Sequence, residues 1–181
     1  MAKLKYDNYN LYENFFNKEL YSNEKERISI EDTLKFVGIF LVYWNLFEDK
    51  FFDKGCNKSK IEKLLTNPRK LREISVNEGV KSTFKYFKER YCDSDLFKKL
   101  NNNLEVGAEI KNINEKEEEE LSDIEILVYL IYIVFRFRCN MFHGNKKPYN
   151  FYKYKEPIEK CVNLLHFLLT KEDVFNIQKE E

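Results

Sequence analysis

The stretch SDIEILVYLIYIVFRFRCNMFHG, Ser122 to Gly144, decides the fold. Ser122 to Glu125 has the form of a capping box, in which the serine hydroxyl takes a free backbone N–H and the acid three residues on answers back. The chain is then almost wholly apolar through Phe135, and Gly144 suits the left-handed residue that closes a helix. Together these signals predict one helix over 122–143. At about 100° per residue, Ile124, Leu127, Val128, Ile131, Phe135 and Phe142 share one face, and Arg138 projects onto it. A guanidinium in an apolar stripe needs a carboxylate, a phosphate or a wet cleft to replace its lost hydration. On the same wheel His143 stands about 140° from Arg138 and close to Arg136.

Outward from this helix the pattern stays helical. Five glycines and three prolines are too few for the turns of an all-β fold. Helices are expected near 4–21, 30–53, 58–65, 68–74, 78–103 with a break around Asp93, 122–143 and 154–170. The sequence SIED, Ser29 to Asp32, is a second capping-box-like start, and Pro68 fits a first helical position. Lys111 to Glu120 reads as a flexible acidic linker, because its five glutamates between Glu115 and Glu120 repel one another. The tail 171–181 is expected to fray. With no internal repeat and no second composition regime, residues 1–181 read as a single all-α domain. Its expected architecture is an antiparallel bundle of about four long helices plus short extra ones.

Composition narrows the function classes. Lys plus Arg and Asp plus Glu number 31 each, so no global field draws the chain to nucleic acid, and any such binding must come from a local patch. Four scattered cysteines without a C-x-x-C pair fit free thiols in a reducing compartment. The start MAKLKYDNYNLYENFF lacks the apolar centre of a signal peptide. The apolar runs Phe36 to Phe47 and Ile126 to Phe135 fall short of the roughly 20 residues of a spanning helix. A cytoplasmic protein with no membrane partner is expected.

The end of the 122–143 helix collects chemistry. Unpaired carbonyls at a helix C-terminus favour an imidazolium at His143, which suits proton transfer near neutral pH. Beyond it, HGNKKPYNFYKYK interleaves Lys146, Lys147, Lys153 and Lys155 with Tyr149, Phe151, Tyr152 and Tyr154. Lysines for phosphates and rings for bases are the ingredients of a single-stranded nucleic-acid surface, with Lys146, Lys147, Tyr149 and Lys153 as the candidate contacts.

RCNMFHG, Arg138 to Gly144, resembles the signature of the HEPN (higher eukaryotes and prokaryotes nucleotide-binding) superfamily: Arg, four to six residues, then His, commonly with Asn between and Gly after. YWNLFE, Tyr43 to Glu48, is similar to the aromatic and acidic pattern several HEPN groups carry on an earlier helix. The resemblance implies a metal-independent endoribonuclease with no cofactor, whose active site is composed of two motifs meeting across a homodimer. Cutting would leave a 2′,3′-cyclic phosphate and a 5′-hydroxyl. Arg138 would meet the phosphate, His143 would move a proton, and Asn140 would hold the phosphate or orient its neighbours. Arg136, with six residues before His143, fits the family spacing as a second candidate, and Glu48 is a secondary candidate that would tether one of the two arginines. The family further suggests a toxin or anti-phage effector, RNA as substrate, and an antitoxin or other regulatory protein as a possible partner. In members silenced by a nucleotidyltransferase partner, a Tyr can stand two residues after the His; here that residue is Asn145, which argues against such control.

Plainer readings stand beside these. On spacing alone Arg138 and His143 read more readily as a structural pair, Glu48 reads as a bridging carboxylate, and Trp44 as core. Cys139 and His143 at i, i+4, with Cys161 and His166 five apart, offer four zinc-type ligands, but the second spacing turns its ligands to different sides. Isolated glycines leave no phosphate-binding loop. A non-catalytic module that binds RNA, nucleotide or a protein partner is the competing class.

Overall fold

The computed structural model describes residues 24–52, 55–142 and 154–171. Among the described residues, seven α-helices run in the order α1 Glu24–Phe52, α2 Lys58–Thr66, α3 Glu78–Tyr91, α4 Ser94–Leu100, α5 Ala108–Glu115, α6 Asp123–Phe142 and α7 Lys155–Thr170. A short 3-10 turn, Glu118–Glu120, precedes α6. The described residues contain no strand, so the class is all-α.

Side-chain caps set several helix starts. Asn57 accepts the Lys60 N–H at 2.9 Å and Asn77 accepts that of Val80 at 2.9 Å. Asp93 accepts from Asp95 at 2.7 Å and Leu96 at 3.1 Å, which makes it the N-cap of α4. The break expected around Asp93 is therefore a designed restart, since a carboxylate taking two N–H groups ends one helix and begins the next. Before α6, Ser122 and Glu125 close the expected capping box: the Glu125 N–H reaches Ser122 Oγ at 3.3 Å, and the Ser122 N–H reaches Glu125 Oε2 at 2.9 Å.

Three expectations need correction. The SIED pattern does not start a helix, because α1 is already helical at Glu24; the preceding EKER is made of good helix formers that carry the helix through Ser29. Residues 68–74 form only a turn, with the Leu71 and Arg72 N–H groups on the Pro68 carbonyl at 2.8 and 3.0 Å. No side-chain cap starts a helix here, and Leu71 and Ile74 are held by burial. The supposed linker 111–120 carries most of α5, because Ile110 and Ile113, three apart, are buried while the glutamates face out. The expected helix 4–21, Gly144 and the tail beyond Lys171 lie outside the described residues.

The core sits around α6. Every residue from Ile126 to Val134 is buried, which a helix achieves only when neighbours surround it. Helices α2, α3, α4 and α5 all pack on α6, while α1 and α7 form the most extensive helix pair. Aromatic rings tie α6 to its neighbours. Trp44 of α1 meets Phe135 of α6 at 6.2 Å between centroids, and Phe87 of α3 meets Phe137 at 6.1 Å.

Candidate functional site at the end of the central helix

The last turns of α6 divide their polar side chains between two sides. Arg136 and Asn140, four apart and so on one face, are 7% and 4% exposed. Arg136 Nε donates to the Leu100 carbonyl at 3.3 Å, and Asn140 Nδ2 donates to the same oxygen at 2.7 Å. Leu100 is the last residue of α4, and its carbonyl is among those a helix leaves without an internal partner.

The sequence NNN makes this possible. Asn102 and Asn103 adopt positive φ of 55° and 57°, a conformation asparagine tolerates better than most residues. Their N–H groups return to Lys99 and Lys98 at 3.1 and 3.0 Å, closing a Schellman-type end. The Leu100 carbonyl is then left pointing at α6. Asn101, also buried, donates to the Phe97 carbonyl at 2.7 Å and accepts from the Tyr132 hydroxyl.

Arg138 lies about 200° from both Arg136 and Asn140 on the helix and is half-buried. Its charge acts on the Cys56 thiol, as does that of Glu48 from α1. Glu48 Oε1 accepts the Cys56 backbone N–H, and Lys60 Nζ donates to the Gly55 carbonyl at 2.6 Å. The chain thus gathers Glu48, Cys56, Lys60, Arg138 and Cys139 in one electrostatic neighbourhood. Burial pushes the Cys56 thiol up, Glu48 and Cys139 push it further, and Lys60 and Arg138 only partly offset them. A thiol held protonated is a poor nucleophile.

Of the residues singled out in the sequence, Arg138 and Glu48 therefore come into one neighbourhood. Asn140 and Arg136 are bound to α4 on the other side. His143, Lys146, Lys147, Tyr149 and Lys153 lie outside the described residues. Of the zinc-type ligands, Cys139 and Cys161 are buried and the His166 ring lies 5.7 Å from that of Tyr43. Among the described residues no group of three or more His, Cys, Asp or Glu is placed to hold a metal ion.

The sequence missed a cleft of about 350 Å3 lined by Lys58, Leu104, Glu105, Tyr132, Phe135 and Arg136. Burial pushes the Tyr132 phenol up to about 12, with the Arg136 charge opposing. No local signal could have revealed it, because its walls come from α2, the connection after α4, and α6.

Fold and site define an all-α protein in which the charges of Arg138, near the end of a buried central helix, and of Glu48 on α1 both act on the Cys56 thiol. Comparison with protein-family models, with curated proteins and with solved structures finds no match.

Proposed function

We propose that the chain is a metal-independent endoribonuclease of HEPN type, acting as a homodimer in a toxin or anti-phage defence role. The observation that supports this best is the setting of Arg138. It is half-buried in the last turns of α6, shares a neighbourhood with Glu48, and stands five residues before His143. RNA brings its own nucleophile. The 2′-oxygen attacks phosphorus, the bond to the 5′-oxygen breaks, and a 2′,3′-cyclic phosphate and a 5′-hydroxyl result. His143 moves the proton, and Arg138 presents planar donors as charge builds on the phosphate oxygens. Glu48 acts as a positioning residue through its charge on this neighbourhood.

The test uses labelled RNA in EDTA with purified wild type, His143→Ala and Arg138→Ala, each checked for folding. Cleavage by wild type that both variants lose supports the reading. Equal activity in His143→Ala sinks it. A non-catalytic RNA- or protein-binding module is the second reading, favoured by the use of Asn140 and Arg136 to close α4. A salt-dependent shift of RNA on a gel without any cleavage selects it.

A further inference from the structure

A separate cleft of about 450 Å3 opens where the C-terminal ends of α1 and α7 meet the connection between α2 and α3. Its walls are Lys50 and Phe51, then Arg69, Lys70, Glu73 and Ile74, and finally Leu168 and Lys171. Four cations and one carboxylate thus share one hollow, in a chain whose acids and bases balance at 31 each.

The charges are held in place. Lys50 Nζ donates to the Leu169 carbonyl at 2.7 Å, and Lys70 Nζ donates to the Lys50 carbonyl at 2.8 Å. Lys171 Nζ stands 3.4 Å from Glu73 Oε2. An ammonium that gives an N–H to a carbonyl keeps its full charge. Each helix end contributes only about half a negative charge, so Lys50, Arg69 and Lys171 together still exceed Glu73 and the two helix ends. Phe51, Ile74 and Leu168 are almost fully buried and form an apolar floor.

We infer that this cleft holds consecutive phosphates of a single RNA strand outside the cutting site, an exosite that rests on the endoribonuclease reading. Phosphates match the feature because recognition here is by charge. A protein partner would need an apolar anchor pocket, and the floor side chains leave almost no surface to serve as one. Lys50 follows Glu48 by two residues and so projects about 200° away from it. The cleft therefore lies across the last turns of α1 from Glu48, outside the proposed cutting site.

The test measures binding of a labelled single-stranded oligoribonucleotide by fluorescence anisotropy. His143→Ala protein, which prevents cutting during the measurement, is compared with the same protein carrying Arg69→Glu and Lys171→Glu. Both substitutions are at exposed positions, and folding is checked by circular dichroism and thermal melting. Across about 50 to about 200 mM salt, the cleft variant should bind about tenfold more weakly at the low end, with a slope against log salt shallower by about 1. Unchanged affinity and slope overturn the proposal, as does displacement of the RNA by polyglutamate at equal charge concentration, which would mark a site for acidic protein. Wild-type cutting is measured in parallel. If wild type cuts nothing while the cleft variant still loses RNA, the exosite stands and the nuclease reading falls; if wild type cuts and the variant binds RNA as well as its parent, the exosite falls alone.

Discussion

Asn140 and Arg138, two residues apart, have opposite employments. Asn140 is buried with its amide on the Leu100 carbonyl, so Asn140→Ala leaves that oxygen only the longer bond from Arg136 and should cost about 0.5–1.5 kcal/mol. Thermal melting should then show a clear drop for Asn140→Ala and a smaller one for Arg138→Ala, even where both lose activity. If the order is reversed, the division of α6 into a structural and a chemical side is wrong. A second residue-scale effect concerns pH. Burial alone would push the Glu125 carboxyl up, but hydrogen bonds from Lys116 and Ser122, with the Lys116 charge, outweigh it and hold the group below the usual carboxylate range. Because the folded value lies below the unfolded one, this stabilisation is present above the ordinary carboxylate pKa of about 4.3 and is lost as pH falls through the folded value. Lys116→Met should therefore flatten the acid limb of a stability-versus-pH curve, and an unchanged limb would mean that Glu125 contributes nothing there.

At the scale of elements, basic and amide side chains from elsewhere in the fold repeatedly close helix C-termini. Arg136 and Asn140 close α4, Lys50 serves α7, Lys70 serves α1, and Lys60 reaches the carbonyls of Phe52 and Gly55 just past α1. Carbonyls at these ends lack internal partners and carry partial negative charge, so a lysine or arginine satisfies both needs. The α5 end depends on this most. Lys88 of α3 donates to the Asn114 carbonyl, to that of Lys116 at 2.7 Å and, more weakly, to that of Ile113 at 3.5 Å. Burial pulls the Lys88 ammonium down, with Glu117 and Glu115 among the groups that oppose it. Lys88→Met should speed amide hydrogen exchange across 108–115 while leaving the centre of α6 protected. Uniformly faster exchange would show instead that α5 and α6 open as one unit.

For the whole molecule, the proposed composite site needs a second copy docked near the end of α6. Ile39, Val42 and Leu46, spaced three and four apart on α1, are 42%, 57% and 54% exposed and form an uncovered apolar stripe. Val42→Asp with Leu46→Asp should convert a dimer to monomer in light scattering while changing stability by no more than about 0.5 kcal/mol per site, as exposed substitutions usually do. A wild-type chain that is monomeric at working concentration would sink the composite site. Much of this architecture was legible in advance. The all-α class and the helices beginning near Lys58, Glu78, Asp123 and Lys155 follow from periodicity and caps. Helix α5 was hidden because a run of glutamates outweighed two isoleucines whose burial depends on α6.

The sequence by itself determined the helices with strong local signals: apolar period, Ser, Asn or Asp caps, and the break at Asp93. These depend on neighbours within a turn or two, where hydrogen bonds and side-chain contacts are dictated by spacing. Only the tertiary structure decided which polar residue of RFRCN serves the fold and which stands with Glu48, and only it gathered Lys50, Arg69, Lys70 and Lys171 around one hollow. The reason is that a carbonyl left over at one helix end, or a charge across a cleft, selects its partner through packing in space, and separation along the chain does not encode that choice.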